Sequence, residues 1–336
     1  MSSLVLIGLV VLLALIFDFI NGFHDTANAI ATSVSTKAIS PRTAILIAAT
    51  LNFVGALSGT AVANTIGKSI VPPDLITPLV LMCALIGAIF WNLFTWYFGI
   101  PSSSSHALIG GLVGAVIGAV GTDKVLWAGF IKILAGLLTA PVVGLVAGSL
   151  VMTVLFWVFR QASPARINNQ FRKMQILSAC MASFAHGSND AQKSMGIIAM
   201  VLVSASILPE FYVPLWVKVA CALAMSAGTA FGGWKIIRTM GGKIFRIEPI
   251  NGFAADATSA AVIYGASLLG APVSTTHVVS SSIMGVGAAK RLKGVRWNIA
   301  RQIIIAWFVT IPSSALVSIL VYNLIKIFDI MRQILS

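Results

Sequence analysis

NGFHDTAN at residues 21–28 returns in related form as HGSNDAQK at residues 186–193, which is 165 positions later. A second passage, IPSSSSH at residues 100–106, returns as APVSTTH at residues 271–277 after 171 positions. The two passages follow the same order in both halves, and each copy lies in apolar sequence. The duplication predicts a chain built from two related halves.

The composition predicts a membrane protein. Of the 336 residues, 58% are hydrophobic and only 9% are charged, and the mean hydropathy is +0.97. Soluble domains carry about 25% charged residues. Several apolar stretches are long enough to cross the hydrocarbon layer of roughly 30 Å, and two shorter ones follow the Pro-containing passages. We therefore expect an all-α polytopic protein of the cell membrane with about 10–12 membrane segments, in contact with the lipid bilayer.

Most of the positive charge lies in four clusters between the apolar stretches. The net charge is +13, and the clusters are Lys37 and Arg42, then Arg160, Arg166, Arg172 and Lys173, then Lys235, Arg238, Lys243 and Arg246, then Lys290, Arg291, Lys293, Arg296 and Arg301. Short basic loops between spans are typical of the cytoplasmic side. This placement argues against nucleic acid as a partner and leaves a basic phosphate-binding patch as the alternative.

The polar, basic stretch at residues 160–173 divides the chain. We expect a first inverted repeat at 1–159, a basic cytoplasmic linker at 160–173 and a second inverted repeat at 174–336. No Lys or Arg precedes Lys37, which favours an N-terminus on the outer side. If the second half starts inside, the halves are antiparallel and the working site lies at their interface near the membrane midplane. Matched polar motifs in such a duplicated membrane protein are typical of a secondary transporter.

Four of the nine acidic residues lie inside apolar segments, namely Asp18, Asp25, Asp190 and Asp256. An ionised carboxylate there costs at least a few kcal/mol, so it needs an explanation. Asp25 and Asp190 recur in both halves, which favours a functional role. For Asp18 and Asp256, a buried carboxyl that is protonated or that holds helices together is an equal alternative.

Helical periodicity places the polar residues of each repeated motif on one face. These residues are Asp18, Asn21, Asp25 and Asn28 in the first half and His186, Asn189, Asp190 and Lys193 in the second. Their carboxylate and amide oxygens suit a hard cation or a proton relay. Lys193 is expected to face the carboxylates or an anion, or to form an internal ion pair. Gly22 and Gly187 are expected to permit a helix break that exposes backbone carbonyls.

The passages at 100–106 and 271–277 predict helix starts that bind an anion. Proline is favoured in a first helical turn, and Ser and Thr are natural N-cap residues. Apolar helices would then run from Ala107 and Val278, with free N–H groups, the positive dipole end and several hydroxyls together. No carboxylate lies within either passage, so nothing in it repels an anion. Helix capping alone is the alternative.

These four passages, together with WNLFTW at residues 91–96, resemble the inorganic phosphate transporter (PiT) family along nearly the whole chain. The resemblance implies a symporter with two inverted-topology repeats and broken or re-entrant helical hairpins, which moves inorganic phosphate with a coupling cation. It implies coupling-ion residues at Asn21, His24, Asp25, Asn28, Asn189 and Asp190. It implies phosphate-binding residues at Ser103, Ser104, Ser105, Ser274, Thr275 and Thr276. We expect no cofactor and no catalytic residue.

His24 bears on the coupling ion. Sodium-coupled members of the family generally carry Asn before the first Asp, as this chain does at Asn189, whereas imidazole titrates near neutral pH and can pass a proton. The resemblance is therefore to the bacterial low-affinity branch, which is proton-coupled and can take phosphate as a neutral complex with a divalent metal. Sodium coupling stays open, and its Na⁺ ligands would be Asp25, Asn28, Asn189 and Asp190.

Three other functions compete with this interpretation. A membrane phosphotransferase that uses His24 and His186 lacks a metal-ligand set and gives no reason for a duplicated site. An anion channel needs no titratable carboxylates in its pathway. Sulfate transport is the nearest rival, but sulfate has no proton to donate at neutral pH, whereas HPO4²⁻ can donate one to a carboxylate. Whether the chain forms a homo-oligomer is left open.

Overall fold

The structure, a computed structural model, describes residues 3–69, 75–232 and 234–335. All regular structure in these ranges is helical, which confirms the predicted all-α fold. The helices are α1 (Ser3–Ser35), α2 (Pro41–Leu57), α3 (Ala61–Ser69), α4 (Pro78–Phe98), α5 (Ser104–Val120), α6 (Trp127–Val158), α7 (Pro164–Ser204), α8 (Leu215–Phe231), α9 (Trp234–Arg238), α10 (Pro249–Leu268), α11 (Thr275–Lys290) and α12 (Trp297–Leu335).

The helices that carry the repeated acidic motifs, α1 and α7, run without interruption through Gly22 and Gly187. The expected helix breaks at these glycines are therefore wrong. Each glycine instead permits a close helix contact, because a Cβ at Gly22 would collide with the backbone of Met225 and one at Gly187 with the backbone of Asn52. A break does occur between α2 and α3, which are bent by 66°.

The helices next to the basic clusters are long. Helix α6 runs from Trp127 to Val158 with Pro141 inside it. The basic stretch 160–173 is mostly helical, because α7 begins at Pro164 and extends past residue 173. The basic segment 235–246 contains α9 and a π-helical turn. From sequence alone, a basic loop is hard to distinguish from the exposed first turns of a helix, because both are polar.

Two helical hairpins, α4 with α5 and α10 with α11, contain the Pro-containing passages at their tips. Each first helix is followed by a glycine with positive φ, Gly99 (67°) and Gly270 (68°), a conformation that costs glycine little. Each second helix begins after a serine N-cap, because the backbone N–H of His106 donates to Ser103 and that of His277 donates to Ser274. The same turn chemistry thus closes both hairpins.

The two halves run in opposite directions. The buried apolar residues of α1 up to Phe17 belong to a first core cluster, and those from Ala29 onward belong to a second. Along α7 the order is reversed, because residues up to Ala185 belong to the second cluster and those from Ala191 belong to the first. The first hairpin packs in the cluster that contains Phe17, and most of the second packs in the other. Packing is reciprocal, with α1 on α8 and α7 on α2, and with α5 on α12 and α11 on α6. The predicted inverted repeats are confirmed.

The outer surface suits a hydrocarbon environment. Within the described ranges, α1, α4, α6 and α12 are long and apolar enough to cross a membrane, and the bent pair of α2 and α3 is a fifth candidate. Helices α6 and α12 expose large apolar side chains such as Val142, Leu150, Phe308 and Leu316, as lipid-facing surfaces do. The polar motifs are buried between the two core clusters, far from either end of α1 and α7.

Candidate functional site

The Asp25 carboxylate lies where both hairpin tips meet α1. Ser104, from the first tip, donates to Asp25 Oδ2 at 2.7 Å, and Thr276, from the second tip, donates to Asp25 Oδ1 at 3.1 Å. Asp25 is 2% exposed, so these hydroxyls are its polar environment rather than bulk water. One carboxylate therefore gathers donors from both halves of the chain.

His24 connects Asp25 to the first hairpin. Its Nδ1 lies 2.7 Å from Asp25 Oδ1, and its Nε2 lies 3.2 Å from Thr95 Oγ1. Thr95 Oγ1 is in turn 2.8 Å from Ser102 Oγ at the hairpin tip. A carboxylate, an imidazole and two hydroxyls thus form a continuous buried chain of groups that can exchange protons.

Asp190 has the equivalent place in the second half and different partners. Thr275 donates to its Oδ2 at 3.0 Å, the His186 Nε2 is 3.3 Å from the same oxygen, and the Lys193 ammonium pairs with Oδ1. All of these groups are buried. The expectation that His186 and Lys193 share a helical face with Asp190 is confirmed, and Lys193 forms the internal ion pair that was one of its alternatives.

Some asparagines of the motifs hydrogen-bond to other helices, and others have a side-chain oxygen without a hydrogen-bond partner in the described residues. Asn189 donates to Ser267 Oγ at 2.9 Å and accepts from the Val273 N–H at 3.4 Å, which ties α7 to the second hairpin. Asn28 donates to Thr276 at 2.9 Å. Within the described part of the chain, Asn28 Oδ1 and both amide atoms of Asn21 have no hydrogen-bond partner although they are buried. Such oxygens are available to a cation or to water.

The remaining hydroxyls of the tips hold the tips themselves. Ser103 and Ser274 accept backbone N–H groups as N-caps, and Ser105 donates to the carbonyl of Val273 in the opposite tip at 2.9 Å. Helix capping and site formation are therefore not exclusive alternatives here. His106 and His277 end the two passages, and their ring centroids lie 4.4 Å apart. This ring contact connects the first turns of α5 and α11.

The structure corrects one expectation about charge. No carboxylate lies within either Pro-containing passage in sequence, but folding brings Asp25 and Asp190 into direct contact with them. One ligand atom from each of Asp25, His186 and Asp190 lies within 4.8 Å of the others, a grouping that could hold a metal ion. An anion at the tips would thus lie beside two carboxylates. Lys193 offsets the charge of Asp190, so the repulsion from Asp25 is the one that a cation or a proton would have to remove.

Several residues that support the site have no role that their sequence position indicates. Asn52 on α2 lies 3.1 Å from His186 Nδ1, and Ser267 on α10 binds Asn189. Thr95 belongs to the quoted WNLFTW passage, yet its contact with His24 spans 71 positions. An isolated polar residue in an apolar helix was the available signal, but its partner could not be inferred without the fold.

The two other buried acids bind hydroxyls on neighbouring helices. Asp18 accepts from Ser194 of α7 at 2.7 Å, and Asp256 accepts from Thr32 of α1 at 2.7 Å. Both bonds connect a helix of one half to a helix of the other. They agree with the alternative in which these carboxyls hold helices together.

Comparison with known proteins places this geometry in a family. The sequence model of the phosphate transporter family matches residues 21–168 and 159–318, which together cover most of the chain. The chain belongs to the phosphate transporter family. Its matching in two segments is consistent with the two-repeat arrangement, and membership makes the chain a multi-pass membrane transporter rather than an enzyme.

Two relatives of this phosphate transporter family member match it over nearly their full length. A protein of Bacillus subtilis (strain 168), named a probable low-affinity inorganic phosphate transporter, is 52% identical over 96% of this chain and 98% of its own. One of Rhizobium meliloti (strain 1021) with the same name is 48% identical over 94% and 95%. A solved structure described as the sodium-dependent phosphate transporter matches with a TM-score of 0.86 at 28% identity, covering 96% of this chain and 99% of that one.

Proposed function

We propose that this chain imports inorganic phosphate across the cell membrane as a symporter driven by the proton gradient. One observation supports the coupling more than any other. Ser104 and Thr276, from opposite hairpin tips, both donate to the Asp25 carboxylate that a phosphate at the tips would have to approach. The same hydroxyls are therefore shared between a titratable group and the proposed substrate.

In this proposal the phosphate lies between the hairpin tips. The N-termini of α5 and α11 supply dipole ends and backbone N–H groups, which favour an anion. Hydroxyl donors come from both tips: Ser103, Ser104, Ser105, Ser274, Thr275 and Thr276. Ser274 accepts the backbone N–H of His277 and keeps its own O–H for donation, whereas Ser103 accepts the backbone N–H of His106 and its Oγ also lies 2.8 Å from His106 Nδ1.

Coupling follows from charge. While Asp25 is ionised, it holds the hydroxyls of Ser104 and Thr276 and repels an anion across a short, buried distance. A proton on Asp25 removes that repulsion. The hydroxyls of Ser104 and Thr276, which donate to the Asp25 carboxylate, are then free to donate to the phosphate oxygens. Proton and phosphate then each raise the affinity for the other, as linkage requires. The remaining coupling residues in this proposal are Asn21, Asn28, Asn189 and Asp190. Asn28 shares Thr276 with Asp25, and a carboxylate oxygen of Asp190 lies within 4.8 Å of one of Asp25.

His24 favours the proton over sodium. It is hydrogen-bonded to Asp25 and joins it to Thr95 and Ser102, which gives a path for proton transfer. Sodium coupling is the second candidate. It is favoured by the unpartnered oxygens of Asn21 and Asn28 in the described structure and by the sodium-dependent solved relative.

The form in which phosphate enters also belongs to the proposal. The cluster of Asp25, His186 and Asp190 could receive a divalent metal that arrives as a neutral metal–phosphate complex, since carboxylate and imidazole suit such ions. A neutral complex would lower the cost of placing phosphate beside two carboxylates. Its uptake would carry metal and phosphate in together.

The substrate is tested by exchange in proteoliposomes without any imposed gradient. Vesicles loaded with phosphate should take up labelled phosphate from outside, and sulfate should compete poorly. Metal–phosphate entry predicts a strong loss of exchange with a divalent-metal chelator on both sides and recovery on adding Mg²⁺. Equal exchange of labelled sulfate would contradict phosphate as the substrate, and exchange that ignores the chelator would contradict the metal complex alone.

A further inference from the structure

Within the aligned motifs at residues 21–28 and 186–193, the two repeats differ in formal charge at one position of the site. With the offset of 165, Asp25 corresponds to Asp190 and Asn28 corresponds to Lys193. The first half thus has a neutral amide one helical turn after its aspartate, where the second half has an ammonium. The first half therefore has an amide oxygen that can bind a cation, and the second half has a cation, the Lys193 ammonium, in its place.

The other positions of the motif do not show this change. Asn21 corresponds to His186, and His24 corresponds to Asn189, so each half keeps one amide and one imidazole in exchanged places. The side chains that surround the two aspartates are therefore similar in kind. Only Lys193 adds a permanent charge.

Lys193 is fully enclosed at 1% exposure, and its ammonium pairs with Asp190. A buried ammonium is tolerated when it is paired, and removing one partner of such a pair strands the other charge. Lys193 therefore offsets the Asp190 charge from within the protein. Thr275 can then donate to Asp190 whether or not a transported cation is present.

Asp25 has no such partner. It accepts hydrogen bonds from Ser104 and Thr276 and lies beside His24, and no Lys or Arg of the described residues forms an ion pair with it. The corresponding Asn28 turns its amide nitrogen to Thr276 and leaves its oxygen free. Within the described residues Asp25 therefore has no permanent cation beside it, and its charge would be offset by a proton on the His24–Asp25 pair or by a transported cation.

We infer that the Lys193 ammonium is a resident cation that permanently fills the second of two duplicated coupling sites, so that only the Asp25 site takes up a cation in each transport cycle. This inference rests on the proposed function, because it assigns the number of cations in that transport. It makes the duplicated site asymmetric and lowers by one the positive charge that crosses with each phosphate.

The test is the number of charges that cross with each phosphate, measured from the membrane potential at which net flux of labelled phosphate stops. Lys193→Asn gives the second half the residue of the first, so it should raise this number by one relative to wild type. Lys193→Arg keeps the positive charge and should keep the wild-type number. A folded Lys193→Asn protein with the wild-type number would overturn the inference.

A swap variant covers the case in which Lys193→Asn does not fold. Asn28→Lys combined with Lys193→Asn moves the ammonium to the first half, and its charge number should equal that of wild type. Asn28→Lys alone should fill both sites, and the folded variant should lose accumulation against a gradient. Gradient-driven accumulation by that single variant at the wild-type ratio would overturn the inference.

A measurement without phosphate separates this inference from the proposed function. The melting temperature of purified Lys193→Asn should gain a stabilisation by Na⁺ or by acidification that Lys193→Arg and wild type lack, because a ligand of the folded state stabilises it. The titratable groups that interact with Asp190 or Lys193 include His186 from α7, Asp18 and Asp25 from α1, and His106 from α5, and all of them are the same in the three proteins. Identical melting responses in all three proteins would contradict a resident cation. Absence of phosphate transport by wild type would contradict the proposed function instead.

Discussion

Thr275 and Thr276 are adjacent in one hairpin tip, but their hydroxyls donate to carboxylates from different halves, Asp190 and Asp25. A single tip therefore responds to the charge of both repeats. Moving this tip by a few ångströms would break both bonds at once. At the scale of the residue, the site is a set of hydroxyls whose acceptors are either carboxylates or, in our proposal, phosphate.

Ser104→Ala and Thr275→Ala should weaken phosphate binding more than they weaken folding. A hydrogen bond to a charged group contributes about 1.5–3 kcal/mol, so we expect a loss of affinity of roughly tenfold or more. The measurement is the concentration dependence of phosphate exchange. Ser259→Ala is the matched control, because Ser259 is equally buried but donates only to backbone carbonyls of its own helix. Unchanged phosphate affinity in both tip variants would indicate that the tip residues serve only as helix caps.

Asp25→Asn should abolish accumulation driven by a proton gradient. Asn keeps the volume of the side chain and loses the titration, so the protein should fold and still exchange phosphate at equilibrium. Asp123→Asn, at an exposed acid in the turn after α5, should leave accumulation intact. Accumulation by Asp25→Asn at the wild-type level would show that Asp25 does not carry the coupling.

At the scale of the element, the repeated motifs were sufficient to predict helices and N-caps, because these depend on neighbouring residues, whereas the helical hairpins were implied by the family resemblance. The role of Gly22 was not predictable, since a glycine in an apolar helix is compatible with a break and with a close contact. The contact that decides it is with Met225 of α8, some two hundred positions away. Sequence likewise placed Ser104 at a helix start but could not show that Asp25 lies against it.

Gly228→Ala should destabilise the packing of α8 on α1. A Cβ at this position would collide with the backbone carbonyl of Phe19, and overpacking of a tight contact costs about 1–3 kcal/mol. Gly265→Ala in α10 is the matched control, because a Cβ there meets no atom within 4 Å, and we expect it to be neutral or stabilising by roughly 0.5–1 kcal/mol. Thermal unfolding of both variants in detergent checks this. Equal melting temperatures would contradict the close packing.

At the scale of the whole molecule, the inverted repeat places the basic clusters on one face. A cavity of about 780 Å³ is lined by residues from all four cluster regions, including Lys37, Asn168, Arg238, Arg246 and Arg296. The sequence predicted this common side from charge alone, since the positive-inside rule depends on composition. It could not predict the meeting of the two hairpin tips, because Thr276 and Asp25 are 251 positions apart.

Accessibility tags should therefore report one side for all three later basic segments. Cysteines introduced singly at residues in 160–163, 239–246 and 290–296, in a background without native cysteines, should react only with reagents that reach the cytoplasm. Both termini should react from outside. A basic segment labelled from outside would contradict the inverted-repeat topology.

Accumulation of labelled phosphate by wild-type proteoliposomes under separately imposed H⁺ and Na⁺ gradients distinguishes proton from sodium coupling. We expect an inward proton gradient in Na⁺-free buffer to drive accumulation above equilibrium and an inward Na⁺ gradient at equal pH not to do so, because His24 and Asp25 provide a proton-exchanging pair. Accumulation that requires the Na⁺ gradient and ignores the pH gradient would contradict proton coupling.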